Sequence, residues 1–296
     1  MGTIQEERNY DFLPLLAEKE EYNNYGEKIK GTLELEIEAY EDIHIGTGQY
    51  IQKDNRFAKE CYKDIDGNAC IPASSLKGAV RNISACVSKS CLDSADGKCL
   101  SRKKQEKRNR KENTPYRKIE KPCITCCTYG LDSYASRIIF SECKSTSSDF
   151  LIKKINQPYT PSKTEDGPKL YKNEVKNEEI EDNLEVEVMK KGTIFSCRLI
   201  IKEITIEQLK LLLFSLGLDE SFEFKVGGFK GQGYGKVKIK AKAYNLSDSK
   251  GRKHIIQGSL KEFASTYYTE CKDEKCTNVM NKMRTIMKPK VVEYEG

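Results

Sequence analysis

The residues best suited to chemistry are cysteines grouped in the middle of the chain. Cys123 and Cys126 form a CxxC pair, and Cys127 follows directly. Three more cysteines lie upstream, in the segments CVSKSC and CLDSADGKC: Cys86, Cys91 and Cys99. Two cysteines from each side make a tetrahedral thiolate site, which is the arrangement that structural zinc prefers.

The sequence predicts one structural zinc ion held by four thiolates: Cys91, Cys99, Cys123 and Cys126. Both histidines, His44 and His254, lie elsewhere, so an all-sulfur site is expected. The selection of the ligands stays open at this stage among Cys86, Cys91, Cys99 and Cys127. Cys271 and Cys276 form only a pair and are unassigned. Buried free thiols are the competing interpretation, but so polar an insertion offers them little apolar core.

A basic segment separates the two groups of cysteines. Residues 100–121 contain ten Lys or Arg and three Glu, which gives 10 − 3 = +7. The whole chain carries a net charge of +6, so the remaining residues sum to 6 − 7 = −1. A basic run is usually a solvated loop, but between two pairs of cysteines it favours nucleic acid as the partner.

A second candidate site is the segment IPASSLKGAVR, residues 71–81. Its proline ends a short strand, and Ser74 and Ser75 are predicted to cap the helix that follows. Lys77 and Arg81 are four residues apart and share one face of this helix. A phosphate could therefore meet both the amides of the helix end and two cations. The competing interpretation is a capped amphipathic helix with ordinary surface cations.

The third candidate site is the glycine-rich run GGFKGQGYGK, residues 227–236, with five glycines in its first nine residues. Glycine lets the backbone approach a ligand closely, and successive amides can bind an anion. Aromatic rings offer stacking faces for unpaired bases, and lysines offer positive charge. The predicted RNA-binding residues here are Gly228, Phe229, Lys230, Gly231, Gln232, Gly233, Tyr234 and Lys236. A strand rather than a helix follows, so a dinucleotide fold is not expected, and a glycine-rich hairpin turn is the alternative.

The elements around these segments predict an α+β fold with a ferredoxin-like, RRM-like core. Leu33, Leu35 and Ile37 alternate with glutamates, which is typical of a half-buried strand. Thr205 and Gln208 predict a capping box at the start of a later helix. Each half of the core is expected to read strand, helix, strand, with the insertions between core elements.

The chain is predicted to divide into a core and several additions. The boundaries are 1–28 for an N-terminal arm, 29–87 and 129–257 for the core, 88–128 for the zinc insertion, 145–192 for a thumb-like hairpin insertion, and 258–296 for a helical tail. Charged residues make up 32% of the chain, and no run of about 18 apolar residues occurs. The sequence therefore predicts a soluble, cytoplasmic protein with no membrane partner.

Three segments together resemble the hallmark segments of the RAMP superfamily of CRISPR-associated proteins: IPASSLKGAVR, CITCCTYGLDSYASRIIFSE and GGFKGQGYGKV. They are most similar to the backbone subunit of type III and type III-derived effector complexes. The opening RNYDFLPLL also resembles the N-terminal arm of some larger type III relatives. In this order and spacing, the segments span most of residues 33–243.

The resemblance implies a subunit that binds the guide RNA (crRNA) in a multi-copy filament and presents it for pairing with target RNA. Its partners would be crRNA, target RNA, further copies of the chain, other effector subunits and a separate nuclease. Ser74, Ser75, Lys77 and Arg81 would lie at guide phosphates, and the glycine-rich run would line the RNA. The zinc site matches the zinc knuckle of some members, and residues 145–192 would include a thumb that enters between bases.

Whether the chain is an enzyme is left open by the sequence. Many type III backbone subunits cut target RNA with an aspartate in the loop after the first strand, which here falls nearest Phe57 or Ala58. Asp54 is the candidate catalytic residue, with Mg²⁺ or Mn²⁺ as the metal, if the loop has slipped; Asp64 and Asp66 are the other acids. The alternative functions are a RAMP endoribonuclease that cuts target RNA or guide precursors, the latter with His44 as base, and a zinc-containing RNA-binding module unrelated to CRISPR.

Overall fold

A computed structural model describes residues 9–16, 20–53, 55–91, 99, 122–131, 134–156, 167–175, 183–253 and 255–289. The strands are β1 Tyr10–Phe12, β2 Ile29–Ala39, β3 Gly46–Lys53, β4 Arg56–Cys61, β5 Cys70–Ile71, β6 Ile138–Phe140, β7 Cys143–Lys144, β8 Phe150–Asn156, β9 Lys169–Tyr171, β10 Asn183–Met189, β11 Ile194–Ile204, β12 Phe224–Lys225 and β13 Lys236–Asp248. The helices are α1 Ala73–Cys86, α2 Ile124–Tyr129, α3 Ile206–Ser215, α4 Leu260–Thr269 and α5 Glu274–Ile286.

The main sheet is built around β2, whose alternating pattern the sequence predicts. Its strand order is β12-β13-β2-β11-β7-β5, with β6 also paired to β11. Leu33, Leu35 and Ile37 are buried, while the glutamates between them lie on the outer face. Ion pairs across the strands neutralise these glutamates: Arg198–Glu34 at 2.6 Å, Lys242–Glu36 at 2.9 Å and Lys240–Glu38 at 3.3 Å.

The helices cover the inner face of the main sheet. Helices α1 and α3 contact each other, and α4 packs against α3. The predicted capping box is present, since the Thr205 hydroxyl accepts from Gln208 N and the Gln208 side chain accepts from Thr205 N. Two helices, α4 and α5, lie within the predicted helical tail.

The predicted caps of α1 are wrong. The N-cap is Pro72, two residues before Ser74, and it makes no side-chain hydrogen bond. The carbonyl of Pro72 accepts from the amides of Ser75 and Leu76, so the first turn closes on the backbone alone. The Ser75 amide, to which a capping hydroxyl would otherwise bond, is thus satisfied by the Pro72 carbonyl.

A second, four-stranded sheet combines two hairpins that are distant in sequence. Its order is β3-β4-β10-β8, with β4 and β10 parallel through the pair Lys59 and Val186. The strands β8 and β10 lie within residues 145–192, where the sequence predicts a hairpin. The hairpin β3–β4 was predicted to be a loop, and this prediction is wrong. We call this four-stranded sheet the small sheet.

The N-terminal arm is tied to the body by β1, which pairs with β9. Leu13 of this arm is buried in the core, whereas Leu15 is exposed. The architecture is mixed α+β with helices on one face of an antiparallel sheet, which is compatible with a ferredoxin-like core. No helix among the described residues is long and apolar enough to cross a membrane. Most of the predicted zinc insertion lies outside the described residues.

The burial pattern of β11 predicts that substitutions at two adjacent residues differ strongly in their effect on the stability of the protein. Phe195 is fully buried against β2, while Ile194 is half exposed on the other face. We expect Phe195→Ala to lower the free energy of unfolding by about 3–5 kcal/mol, because it leaves a cavity in the core. Ile194→Ala is the matched control and should cost less than about 1 kcal/mol. Equal losses in denaturant titrations would contradict the assigned register.

Candidate metal centre and glycine-rich loop

The four predicted ligands come together in space. The sulfur atoms of Cys91, Cys99, Cys123 and Cys126 all lie within 4.8 Å of one another. Cys91 Sγ is 3.7 Å from Cys123 Sγ and 3.3 Å from Cys126 Sγ, too long for disulfides. A tetrahedral ion with metal–sulfur bonds of about 2.3 Å needs sulfurs about 3.8 Å apart. The cluster could therefore hold a metal ion.

The structure also separates these ligands from the other candidates. Cys86 is buried in the main core on α1, and the Cys127 thiol faces the carbonyl oxygen of Pro122 at 3.8 Å. The cluster is closed on one side by Leu131. Neither Cys86 nor Cys127 belongs to the group of close sulfurs. Among the candidate ligands that the sequence left open, the positions of the sulfur atoms therefore favour Cys91 and Cys99.

Helix α2 carries two of the cluster cysteines and is anchored by buried hydroxyl groups. Cys123 is its N-cap and Cys126 lies in its first turn. Gln208 Nε2 donates to Thr128 Oγ1 at 2.8 Å, which ties α2 to α3. The hydroxyls of Ser84 and Tyr129 are 2.8 Å apart, which ties α2 to α1. The sequence analysis did not single out these polar groups, because nothing local indicates that they are buried.

The cations of α1 have partners inside the protein. Arg81 Nη2 donates to Cys126 Sγ at 3.6 Å, so the guanidinium lies against the cysteine cluster. Lys77 Nζ donates to Ser136 Oγ at 2.9 Å, and burial together with the charge of Arg81 lowers the pKa of Lys77. A hydrogen bond with Cys126 lowers the pKa of Cys123, which favours the metal-binding thiolate. Ser74 is exposed and Ser75 is half-buried at the start of α1.

The glycine-rich loop, residues 227–235, packs against the chain around His44. Gly228 N donates to His44 O, and Gly235 N donates to Asp42 O, each at 2.8 Å. A Cβ on Gly227, whose φ is +80°, would lie 2.2 Å from His44 O. Glycine is therefore required here by the approach of another backbone segment of the protein, which is a reason that the sequence did not reveal.

The side chains of the loop are divided between the surface and the interior. Phe229 and Tyr234 are half-buried and pack against Ile155, Val186 and Val188 of the small sheet. Gln232 Nε2 donates to Asn156 O at 2.6 Å, while Gly231 and Gly233 remain half-exposed. Burial lowers the pKa of Lys230. Lys236 is only 3% exposed and its Nζ lies 3.7 Å from Glu41, so its ammonium group lies inside the protein.

The acid–base candidates differ in position. His44 is buried, its Nδ1 lies 2.7 Å from Glu187 O, and burial lowers its pKa. Asp64 Oδ1 accepts from the amides of Asp66 and Asn68, so it stabilises a turn. Asp54 lies outside the described residues. A neutral histidine bound to a backbone carbonyl has the geometry of a structural group rather than of an exposed base.

The two RNA-binding segments predicted from the sequence lie far apart. The glycine-rich loop leads into β13, and the start of α1 follows β5, and four interstrand spacings separate these two strands across the sheet. At about 4.8 Å for each spacing, this is about 19 Å. A ligand that touches both the loop and the start of α1 would have to span a distance of this order.

A family model described as the RAMP superfamily matches residues 36–238, which is more than half of the 296 residues. The matched range contains α1, the cluster cysteines and the glycine-rich loop. No curated protein matches the chain.

The contact between Arg81 and Cys126 predicts a role in metal retention. Four thiolates around a divalent ion leave net negative charge, which a neighbouring guanidinium offsets. We expect Arg81→Ala to lower metal affinity by roughly tenfold or more, measured by competition with a chromogenic chelator. Arg81→Lys should restore part of the loss. Exposed Asn82 on the same helix gives the matched control, Asn82→Ala. Equal metal retention in Arg81→Ala and Asn82→Ala would contradict this role.

Proposed function

The chain belongs to the RAMP superfamily of CRISPR-associated proteins, and on that premise we propose that it is a backbone subunit of a CRISPR effector complex. In this function, copies of the chain bind guide RNA along its length and present it for pairing with target RNA. Its partners are crRNA, target RNA, neighbouring copies and other effector subunits. An RNA-binding role follows from the family, and the backbone role is our proposal.

The single observation that carries the proposal is the extent of the family match. The match covers residues 36–238, from within β2 to the start of β13, and includes α1 and the glycine-rich loop. The separation of α1 from the loop supports a long ligand, because one extended strand can contact both. Half-exposed rings and cations beside the loop, such as Phe229, Tyr234 and Lys59, suit unpaired RNA.

For the cysteine cluster, we propose structural zinc. Four sulfur ligands at tetrahedral spacing, with no described histidine or carboxylate in the group, fit Zn²⁺ better than a hard cation such as Mg²⁺. The ion would join Cys91 and Cys99 to α2, and α2 is bonded to α1 and α3 through buried side chains. Its contribution is to hold the helices in place rather than to act on RNA.

The alternative is a RAMP endoribonuclease that cuts target RNA or guide precursor. The described acids and His44 supply no observation that favours it, and Asp54 is the remaining candidate. The two functions are separated by incubating guide-loaded protein with labelled target RNA and Mg²⁺ or Mn²⁺. Intact target supports a scaffold that depends on a separate nuclease. Regularly spaced products that Asp54→Ala abolishes would identify a nuclease instead.

RNA binding should depend on salt and on the cations near the start of α1. We expect purified protein to bind labelled single-stranded RNA, with log K falling linearly as log salt concentration rises. Lys77→Ala removes one positive charge near the start of α1 and should reduce the slope by roughly 0.7. Lys242→Ala is the control, because Lys242 is paired with Glu36 on the outer face of the main sheet. An unchanged slope in Lys77→Ala would remove this lysine from the interface.

Zinc should be present at one ion per chain. Elemental analysis of Cys123→Ser and Cys126→Ser is expected to show loss of the metal, since each variant removes one of four ligands. Cys271→Ser should keep it, because Cys271 lies outside the cluster and serves as a matched control. A folded wild-type protein without zinc would contradict the assignment, and loss of zinc from the Cys271 variant would contradict the choice of ligands.

A further inference from the structure

The strand register of the small sheet places two exposed aromatic rings on one face. Tyr50 pairs with Lys59, and Phe57 pairs with Gln52, between β3 and β4. Paired residues point to the same side of a sheet, so all four side chains share one face. Tyr50 is 61% exposed and Phe57 is 67% exposed. We call this surface the aromatic face.

The aromatic face is continuous with the glycine-rich loop. Lys59 pairs with Val186 of β10, and Val186 packs against Phe229 and Tyr234. Lys59 Nζ lies 6.0 Å from the centre of the Phe229 ring. The loop therefore covers the part of this face formed by β8 and β10, and the rings on β3 and β4 extend the same surface beyond it.

Charge is divided between the two faces of the small sheet. The described strand residues on the aromatic face include Lys59 and Lys153 but no carboxylate. The opposite face carries the acids Glu60, Glu185 and Glu187 together with the cations Arg56 and Lys154, and Arg56 is ion-paired with Glu185. Lys153 pairs with Asp42, whereas no described carboxylate lies within ion-pair distance of Lys59. This distribution favours an anionic ligand on the aromatic face.

The spacing of the rings suits a nucleic-acid base. Tyr50 and Phe57 are diagonal neighbours across the hairpin, and such neighbours lie about 7–8 Å apart. Stacked bases repeat about every 3.4 Å, so a base between two rings needs about 6.8 Å. The two rings are therefore close enough to contact neighbouring bases of one strand, and Lys59, directly opposite Tyr50 on the same face, is placed near the phosphate between them.

We infer that the aromatic face, with Tyr50, Phe57 and Lys59, is a stacking site for unpaired RNA bases. Base stacking on aromatic side chains tolerates any sequence, because every base has a π-face. This suits a protein that must bind guides of different sequence. The inference rests on the proposed function and extends the RNA surface to a hairpin that the sequence analysis interpreted as a loop.

The experiment measures the binding of a short fluorescein-labelled oligoadenylate to the 296-residue chain by fluorescence anisotropy. Tyr50→Ala and Phe57→Ala are each expected to weaken binding by roughly fivefold to a hundredfold, since each removes one stacking partner. The salt slope should not change in these variants, because no charge is lost. Lys59→Ala should reduce the slope by roughly 0.7. Tyr50→Phe and Phe57→Tyr should retain most of the affinity.

Tyr25→Ala is the matched control, because Tyr25 is 80% exposed but lies outside the small sheet. Circular dichroism and thermal unfolding should show all variants folded, as both rings are at the surface. Wild-type protein that binds no RNA would overturn the proposed function and this inference with it. Wild-type binding with Tyr50→Ala and Phe57→Ala equal to Tyr25→Ala would overturn the inference alone. Loss of self-association in these variants, at unchanged RNA affinity, would make the face a contact between copies and would also overturn it.

Discussion

The contacts of His44 join the small sheet to the glycine-rich loop, which leads into β13 of the main sheet. Its ring bonds the backbone of β10 through Glu187 O, its own carbonyl accepts from Gly228 N, and its ring centre lies 5.0 Å from that of Phe229. Because the acceptor at Glu187 is a carbonyl oxygen, Nδ1 of the neutral ring carries the proton and donates it. Burial lowers the pKa of this histidine and so favours the neutral form that the junction needs. His44 therefore contributes to the position of the loop, together with the bonds from Gly235 N to Asp42 O and from Gln232 Nε2 to Asn156 O.

A second set of polar contacts holds the helices. The Cys126 thiol meets Arg81 of α1, Tyr129 meets Ser84 of α1, and Thr128 meets Gln208 of α3. Each bond is buried or half-buried, so breaking one leaves a polar group without water. Helix α2 has only six residues and cannot be stable alone, which explains why it needs both the cysteine cluster and these hydroxyls. The cluster and α1 therefore form one structural unit, and loss of the metal should also affect the stability of α1.

Charged side chains are arranged differently on the two sheets. On the outer face of the main sheet, glutamates of β2 are paired with cations of β11 and β13, so this face offers little net attraction to a polyanion. On the small sheet, acids and aromatic rings are placed on opposite faces. Open sheets in RNA-binding folds commonly use a face with exposed rings. Here the most exposed rings of the described strands, Tyr50 and Phe57, lie on the small sheet, whereas Tyr244 on β13 of the main sheet is less exposed.

Much of the fold could be predicted because some patterns are local. The alternation along β2, the capping box at Thr205 and the four cluster cysteines follow from spacing over a few residues or from the chemistry of the side chains themselves. The RAMP assignment rests on such segments, and the family match confirms it.

Other features depend on partners distant in the chain. Lys59 is paired with Val186 in the small sheet, Arg81 donates to Cys126 Sγ, and Gly227 lies against the backbone of His44. None of these pairs is visible as a local pattern in the sequence. The sequence by itself therefore determined which residues carry sulfur, charge and aromatic rings. Only the tertiary structure decided which of them are buried, which share a face and which are exposed to RNA, because the direction of a side chain is set by the strand or helix packed against it.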